Sequence, residues 1–171
     1  MTPIISIIGP SKADRTLLSE RLIAEITKRG YRVASAKRDA HAYDLDTPGK
    51  ASWRHSQAGA ETVVVSSSAR LTVFKKVERE WSLDELAQGL LADADIIIAD
   101  GYTAEKTPKI KVLISETEEN EQVPEGELIA VVASEPGADQ AGEVPRFGRN
   151  EIGKLTDLVE EKFLKKRSGI I

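Results

Sequence analysis

With 171 residues, 40% of them apolar and 30% charged, the chain is long enough to bury a core within one domain spanning residues 1–171. Its net charge of −4, without a long basic run, argues against nucleic acid as the main partner, because phosphate-backbone binding needs a concentrated Lys/Arg face. The absence of cysteine excludes disulfides, cysteine–zinc sites, iron–sulfur clusters and thiol catalysis.

Residues 4–8 are an apolar run of the kind a parallel strand shows when both its faces are buried. They follow no basic n-region, and no apolar stretch approaches the roughly 20 residues that span a bilayer, so a cytoplasmic protein with no membrane contact is expected. A loop over residues 9–15 leads to a helix over 16–29, where Leu17, Leu18, Leu22, Ile23 and Ile26 recur at helical spacing before Gly30. A second strand over 32–36 completes a strand–loop–helix–strand unit, the building block of a parallel sheet. The polar stretch 37–50 precedes a short helix over 51–58, stopped by Gly59. Residues 62–66 and 71–74 read as two strands joined by a tight turn. Ser82-Leu83-Asp84-Glu85 has the capping-box pattern, which starts a helix running to about residue 92. Strands are expected over 96–99, 109–114 and 128–132, and a last helix over 150–166. Between residues 115 and 127 six glutamates and no basic residue mark a solvated loop.

The strand-to-helix connection reads Gly9-Pro10-Ser11-Lys12-Ala13-Asp14-Arg15-Thr16. A phosphate-binding loop has glycine, four residues, then Gly-Lys-Ser/Thr. Gly9 and Thr16 stand at the right ends, but Asp14 replaces the second glycine and Arg15 the lysine. The lost glycine removes backbone freedom beside the phosphate, and an aspartate there repels phosphate oxygens. Arginine keeps the charge, but its planar fork differs from a compact ammonium, and Lys12 is another source of charge. The segment reads either as a nucleotide-binding loop formed by Gly9, Ser11, Lys12, Ala13, Asp14, Arg15 and Thr16, or as a tight connection only.

Two further clusters lie where ligand loops of open α/β sheets fall, after strands. Asp44 and Asp46 either hold hydrated magnesium or are turn residues ahead of Pro48-Gly49, and His41 is either a ligand or a surface residue. Asp100-Gly101, after a buried strand, either supplies the acid that holds Mg²⁺ through water, with a glycine that permits close backbone approach, or caps a strand end.

In order along the chain stand Asp44-Leu45-Asp46-Thr47-Pro48-Gly49-Lys50-Ala51-Ser52-Trp53, Ala58-Gly59-Ala60, Asp100-Gly101-Tyr102 and Val132-Ala133-Ser134-Glu135-Pro136. With the N-terminal loop they resemble the MobB family, accessory proteins of molybdopterin-guanine dinucleotide biosynthesis, over nearly the whole length. The resemblance implies a three-layer α/β fold of the P-loop NTPase type, a mostly parallel sheet with a β-hairpin extension. It also implies a GTP- and Mg²⁺-binding homodimer that assists a molybdopterin guanylyltransferase and its molybdopterin cofactor. Family binding roles fall on Gly9, Thr16, Lys37, His41, Asp44, Asp46 and Asp100, with Thr16, Asp44, Asp46 and Asp100 as the metal set. The altered loop leads us to expect weak guanine-nucleotide binding with little or no hydrolysis, or a module that contacts the pterin or a partner enzyme without nucleotide. An active small GTPase or kinase is the third reading.

Overall fold

A computed structural model of the chain describes residues 2–38, 46–114, 123, 126–134 and 144–164. The contacts divide it into two compact units, residues 1–38 with 82–171, and residues 39–81.

The larger unit is built on a sheet of six parallel strands in the order β2-β5-β1-β6-β7-β8. These are β1 (Ile4–Ile8), β2 (Val33–Lys37), β5 (Ile96–Asp100), β6 (Lys109–Val112), β7 (Leu128–Ala133) and β8 (Arg146–Gly148). β1 and β5 are buried at every residue, which is why they read as uninterrupted apolar runs. On one face α1 (Lys12–Lys28) and α4 (Ile152–Val159) pack Leu18, Leu22, Ile26, Leu155 and Val159 against Ile5, Ile7, Ile98, Ile110 and Val132. On the other, α3 (Leu83–Gly89) packs Leu83 and Ala87 against Ile4, Ile97 and Ala99. The expected three layers are present, and this sheet is parallel throughout.

The Ser82 capping box forms as read: its hydroxyl accepts from the Glu85 amide while the Glu85 carboxylate accepts from the Ser82 amide at 2.9 Å. Other boundaries differ. α3 stops at Gly89 rather than near 92, and β6 stops at Val112. β8, which the reading did not include, is three residues long, too short to show a periodic pattern. α4 starts at Ile152 and passes into a π-helical turn, Glu160–Leu164. That turn brings Glu160 to Arg29, whose Nη1 is 2.8 Å from Oε2, and to the Tyr31 hydroxyl, which donates to Oε1 at 2.8 Å. Asp157 and Glu25 join the same guanidinium, so the carboxyl end of α1 is tied to α4. Glu160 also raises the Tyr31 pKa, since it accepts the phenolic proton and repels a phenolate.

Among the described residues the largest fully buried side chain is Lys109. Its ammonium donates to the carbonyl oxygens of Glu105 and Thr107, fastening the loop between β5 and β6 to the sheet. In the sequence Lys109 is marked only as the start of a strand.

The smaller unit holds α2 (Ala51–Gln57) and the antiparallel pair β3 (Thr62–Ser66) and β4 (Leu71–Lys75). The anticipated hairpin is therefore a separate two-stranded sheet.

Candidate functional site

β1 and β5 are neighbours with Ile7 opposite Asp100, so their carboxyl ends place Gly9 and Asp100 side by side. Gly9 has φ of 145°, and a Cβ there would overlap the carbonyl oxygen of Val112. Only glycine suits that position. Gly101 has φ of 91°, and a Cβ on it would lie 3.0 Å from the Arg38 carbonyl oxygen. The Arg38 amide donates to the Asp100 carbonyl at 2.9 Å, so the ends of β2 and β5 also converge.

The loop expected over residues 9–15 is much shorter. α1 begins at Lys12, one turn earlier than the apolar spacing indicates, with Ser11 as its N-cap. The Ser11 hydroxyl accepts from the Asp14 amide at 3.1 Å, and the Ser11 carbonyl accepts from the Arg15 amide at 3.1 Å. Asp14 fits this first helical turn, because a carboxylate is favourable at the positive pole of a helix, whereas the glycine it replaces would leave the backbone free. The amides of Asp14 and Arg15, two of those that a phosphate loop would turn toward a ligand, are here used by the chain.

Arg15 turns inward. Its Nε lies 3.2 Å from Asp100 Oδ1, and its Nη1 donates to the Gly9 carbonyl oxygen. Thr16 Oγ1 donates to Asp100 Oδ2 at 3.1 Å. Lys37 Nζ, at the end of β2, lies 3.4 Å from Thr16 Oγ1 and 3.7 Å from Asp100 Oδ2. Both Asp100 oxygens are engaged, and its side chain is only 9% exposed. Of the residues expected at the site, Gly9, Arg15, Thr16, Lys37, Asp100 and Gly101 therefore come together.

Asp14 points elsewhere, to Arg149 just past β8, with 2.7 Å between carboxylate and guanidinium. The Ser11 hydroxyl holds the Asp14 carboxyl below its ordinary pKa, burial works against this, and Arg149 adds to the lowering. Lys12 and Ala13 are exposed on the first turn of α1. Asp46 belongs to the smaller unit, where its Oδ1 accepts from the Thr47 amide at 2.8 Å and the Ser52 hydroxyl at 3.1 Å, as a turn residue does. His41 and Asp44 lie outside the described residues. Arg149 was not anticipated, and nothing in its local sequence marks it.

A nucleoside triphosphate with magnesium needs backbone donors in the loop, a cation for the β- and γ-phosphates, and a hydroxyl and acid open to the metal. In this arrangement the amides of Asp14 and Arg15 are bonded within the helix, Arg15 is spent on Asp100 and Gly9, and Thr16 is spent on Asp100. Among the described residues, these as placed do not fit that group.

A parallel sheet with its first helix packed on it, a glycine turn after the first strand and an acid at the end of the adjoining strand define a P-loop-type α/β protein. Within that class the chain belongs to the MobB family, since residues 4–134 match the family model of molybdopterin guanine dinucleotide synthesis protein B. It is 33% identical over 162 residues to a molybdopterin-guanine dinucleotide biosynthesis adapter protein of Haemophilus influenzae, covering 92% of this chain and 88% of the relative. It is 28% identical over 174 residues to the Escherichia coli adapter protein of the same name, covering 99% and 97%. A crystal structure of molybdopterin-guanine biosynthesis protein B superposes with a TM-score of 0.74 at 27% identity, covering 92% of this chain and 97% of that one.

The depressed Asp14 pKa has a definite sign. Stability from this group is complete above the unfolded value near 3.8 and is lost as pH falls through the lower native value. Asp14→Asn should cost up to about 1 kcal/mol at pH 7, a small amount because the pair is partly exposed to solvent. In thermal melts the gap between wild type and variant should narrow below about pH 4. A gap unchanged from pH 7 to pH 3 would show that the carboxylate charge is not what holds this turn.

Proposed function

We propose that the chain is an adapter in the guanylylation step of molybdopterin-guanine dinucleotide biosynthesis, working in the cytoplasm by engaging the guanylyltransferase and its molybdopterin substrate. On this reading it binds guanine nucleotide weakly at most and hydrolyses little or none. Two curated relatives bear the adapter name. The observation that carries the mechanistic half is the Arg15 guanidinium seated on Asp100 and Gly9, the position from which a phosphate loop would act. Phosphoryl transfer depends on positive charge placed at the β- and γ-phosphates, and here that charge is directed into the protein.

The adapter half is tested by reconstitution with purified guanylyltransferase, molybdopterin and GTP. Adding the chain should raise the rate of dinucleotide formation severalfold and give a transferase complex on size-exclusion chromatography. The absence of both stimulation and a complex would remove the adapter role.

The nucleotide half is tested by calorimetric titration with GTP, GDP and ATP, with and without Mg²⁺. Affinities no tighter than the millimolar range are expected, and Asp14→Gly with Arg15→Lys should strengthen GTP binding by at least about tenfold. Micromolar, magnesium-dependent GTP binding by the wild type would instead favour a nucleotide-bound adapter.

Self-association through the hairpin belongs to the same proposal. Val64 and Val73 pair across β3 and β4 yet are 54% and 42% exposed, and Leu71 beside them is 66% exposed. A two-stranded sheet is marginal alone, and its edges are open to pairing, so a second copy is the natural cover. Light scattering should give a dimer for the wild type and a monomer for Val64→Lys with Val73→Lys. A monomeric wild type at micromolar concentration would eliminate this surface.

A further inference from the structure

We infer that Arg15 is a built-in cation: it occupies the electrostatic position that Mg²⁺ holds in proteins of this fold, so that the acid at the end of β5 is neutralised by the chain and its site takes no metal. In a P-loop site the ion is held by the loop Ser/Thr hydroxyl and by a strand-end aspartate. Here those groups are Thr16 and Asp100, already joined by a 3.1 Å hydrogen bond, and the guanidinium lies on the remaining Asp100 oxygen at 3.2 Å. Its second arm reaches the Gly9 carbonyl oxygen, so one cation ties together the carboxyl ends of β1 and β5 and the first turn of α1.

The charge count points the same way. Asp100 carries one negative charge, and Arg15 and Lys37 bring two positive charges within 3.7 Å of it. Among the described residues, a divalent ion entering this cluster would meet two cations and one carboxylate, a net positive charge that repels it. Asp14, the other carboxylate of this turn, is paired with Arg149. The geometry of the ion is also unfavourable, since Mg²⁺ demands a near-octahedral shell and keeps several waters. Arg15 side-chain exposure is 18%, so the guanidinium fills the space beside Asp100 rather than waving in solvent. Arginine suits such a role because it stays charged and is more weakly hydrated than an ammonium.

The consequence is a strand-end site closed by the protein's own residues. This inference is independent of the adapter role, because metal binding and melting temperature read neither guanylyl transfer nor complex formation. Manganese is the probe, followed by electron paramagnetic resonance, with Mg²⁺ in parallel melts. Wild type should bind Mn²⁺ no better than Asp100→Asn does, and Mg²⁺ should leave its melting temperature unmoved. Arg15→Ala should melt at lower temperature, bind one Mn²⁺ per chain at least about tenfold more tightly than wild type, and regain part of the lost melting temperature with Mg²⁺. Asp100→Asn added to Arg15→Ala should abolish that gain. Arg15→Gln, which retains donors for Gly9 and Asp100 without the charge, should behave in the same direction and serves if the alanine variant does not fold. Wild-type Mn²⁺ binding that Asp100→Asn abolishes would overturn the inference. So would folded Arg15 variants that bind Mn²⁺ no more tightly than the wild type.

Discussion

A carboxylate at the inner end of a buried strand must have a counter-charge, and the architecture around Asp100 follows from how that need is met. An ionised carboxylate that is 9% exposed would be costly if left to itself. Arg15 reaches it from the first turn of α1, which is helical already at residue 15. Ser11 as N-cap and Asp14 at the helix pole stabilise such an early start. The two departures from the phosphate-loop pattern therefore act together. Aspartate in place of glycine closes the backbone into helix, and arginine in place of lysine is long and forked enough to bridge Asp100 and Gly9 from within it. Arg149 then holds the outward carboxylate of Asp14, so the turn is secured from both sides.

Parts governed by burial were legible in the sequence. β1 and β5 are apolar at nearly every position because helices cover both faces of the sheet, and the runs at residues 4–8 and 96–99 announce this directly. The Ser82 capping box was legible because its two hydrogen bonds are local. The start of α1 was not. Its first turn, Lys12 to Arg15, contributes nothing to the apolar stripe that begins at Leu17 and Leu18, so periodicity dates the helix from where burial begins. β8 escaped because three residues paired to β7 carry no pattern of their own. Arg149 escaped because its partner lies 135 positions earlier and only the folded sheet brings them together. Motif spacing pointed to Gly9, Thr16 and Asp100, which stand after β1, in the first turns of α1 and at the end of β5. It could not show that Arg15 faces them.

Nucleotide switches of this fold class work because contacts to the γ-phosphate and its magnesium hold segments that are released on hydrolysis. A ligand shifts a conformational equilibrium only by the difference in its affinity for the two states. In this chain the contacts available to such a ligand are already made by Arg15 to Asp100 and Gly9, and by Thr16 to Asp100. A phosphate or metal would first have to displace them, so its net affinity would be reduced by what those internal contacts are worth. These internal contacts hold the strand ends and the first turn of α1 together within the larger unit without a ligand. On the proposed adapter reading, partner recognition would then rest on surfaces displayed without a bound nucleotide.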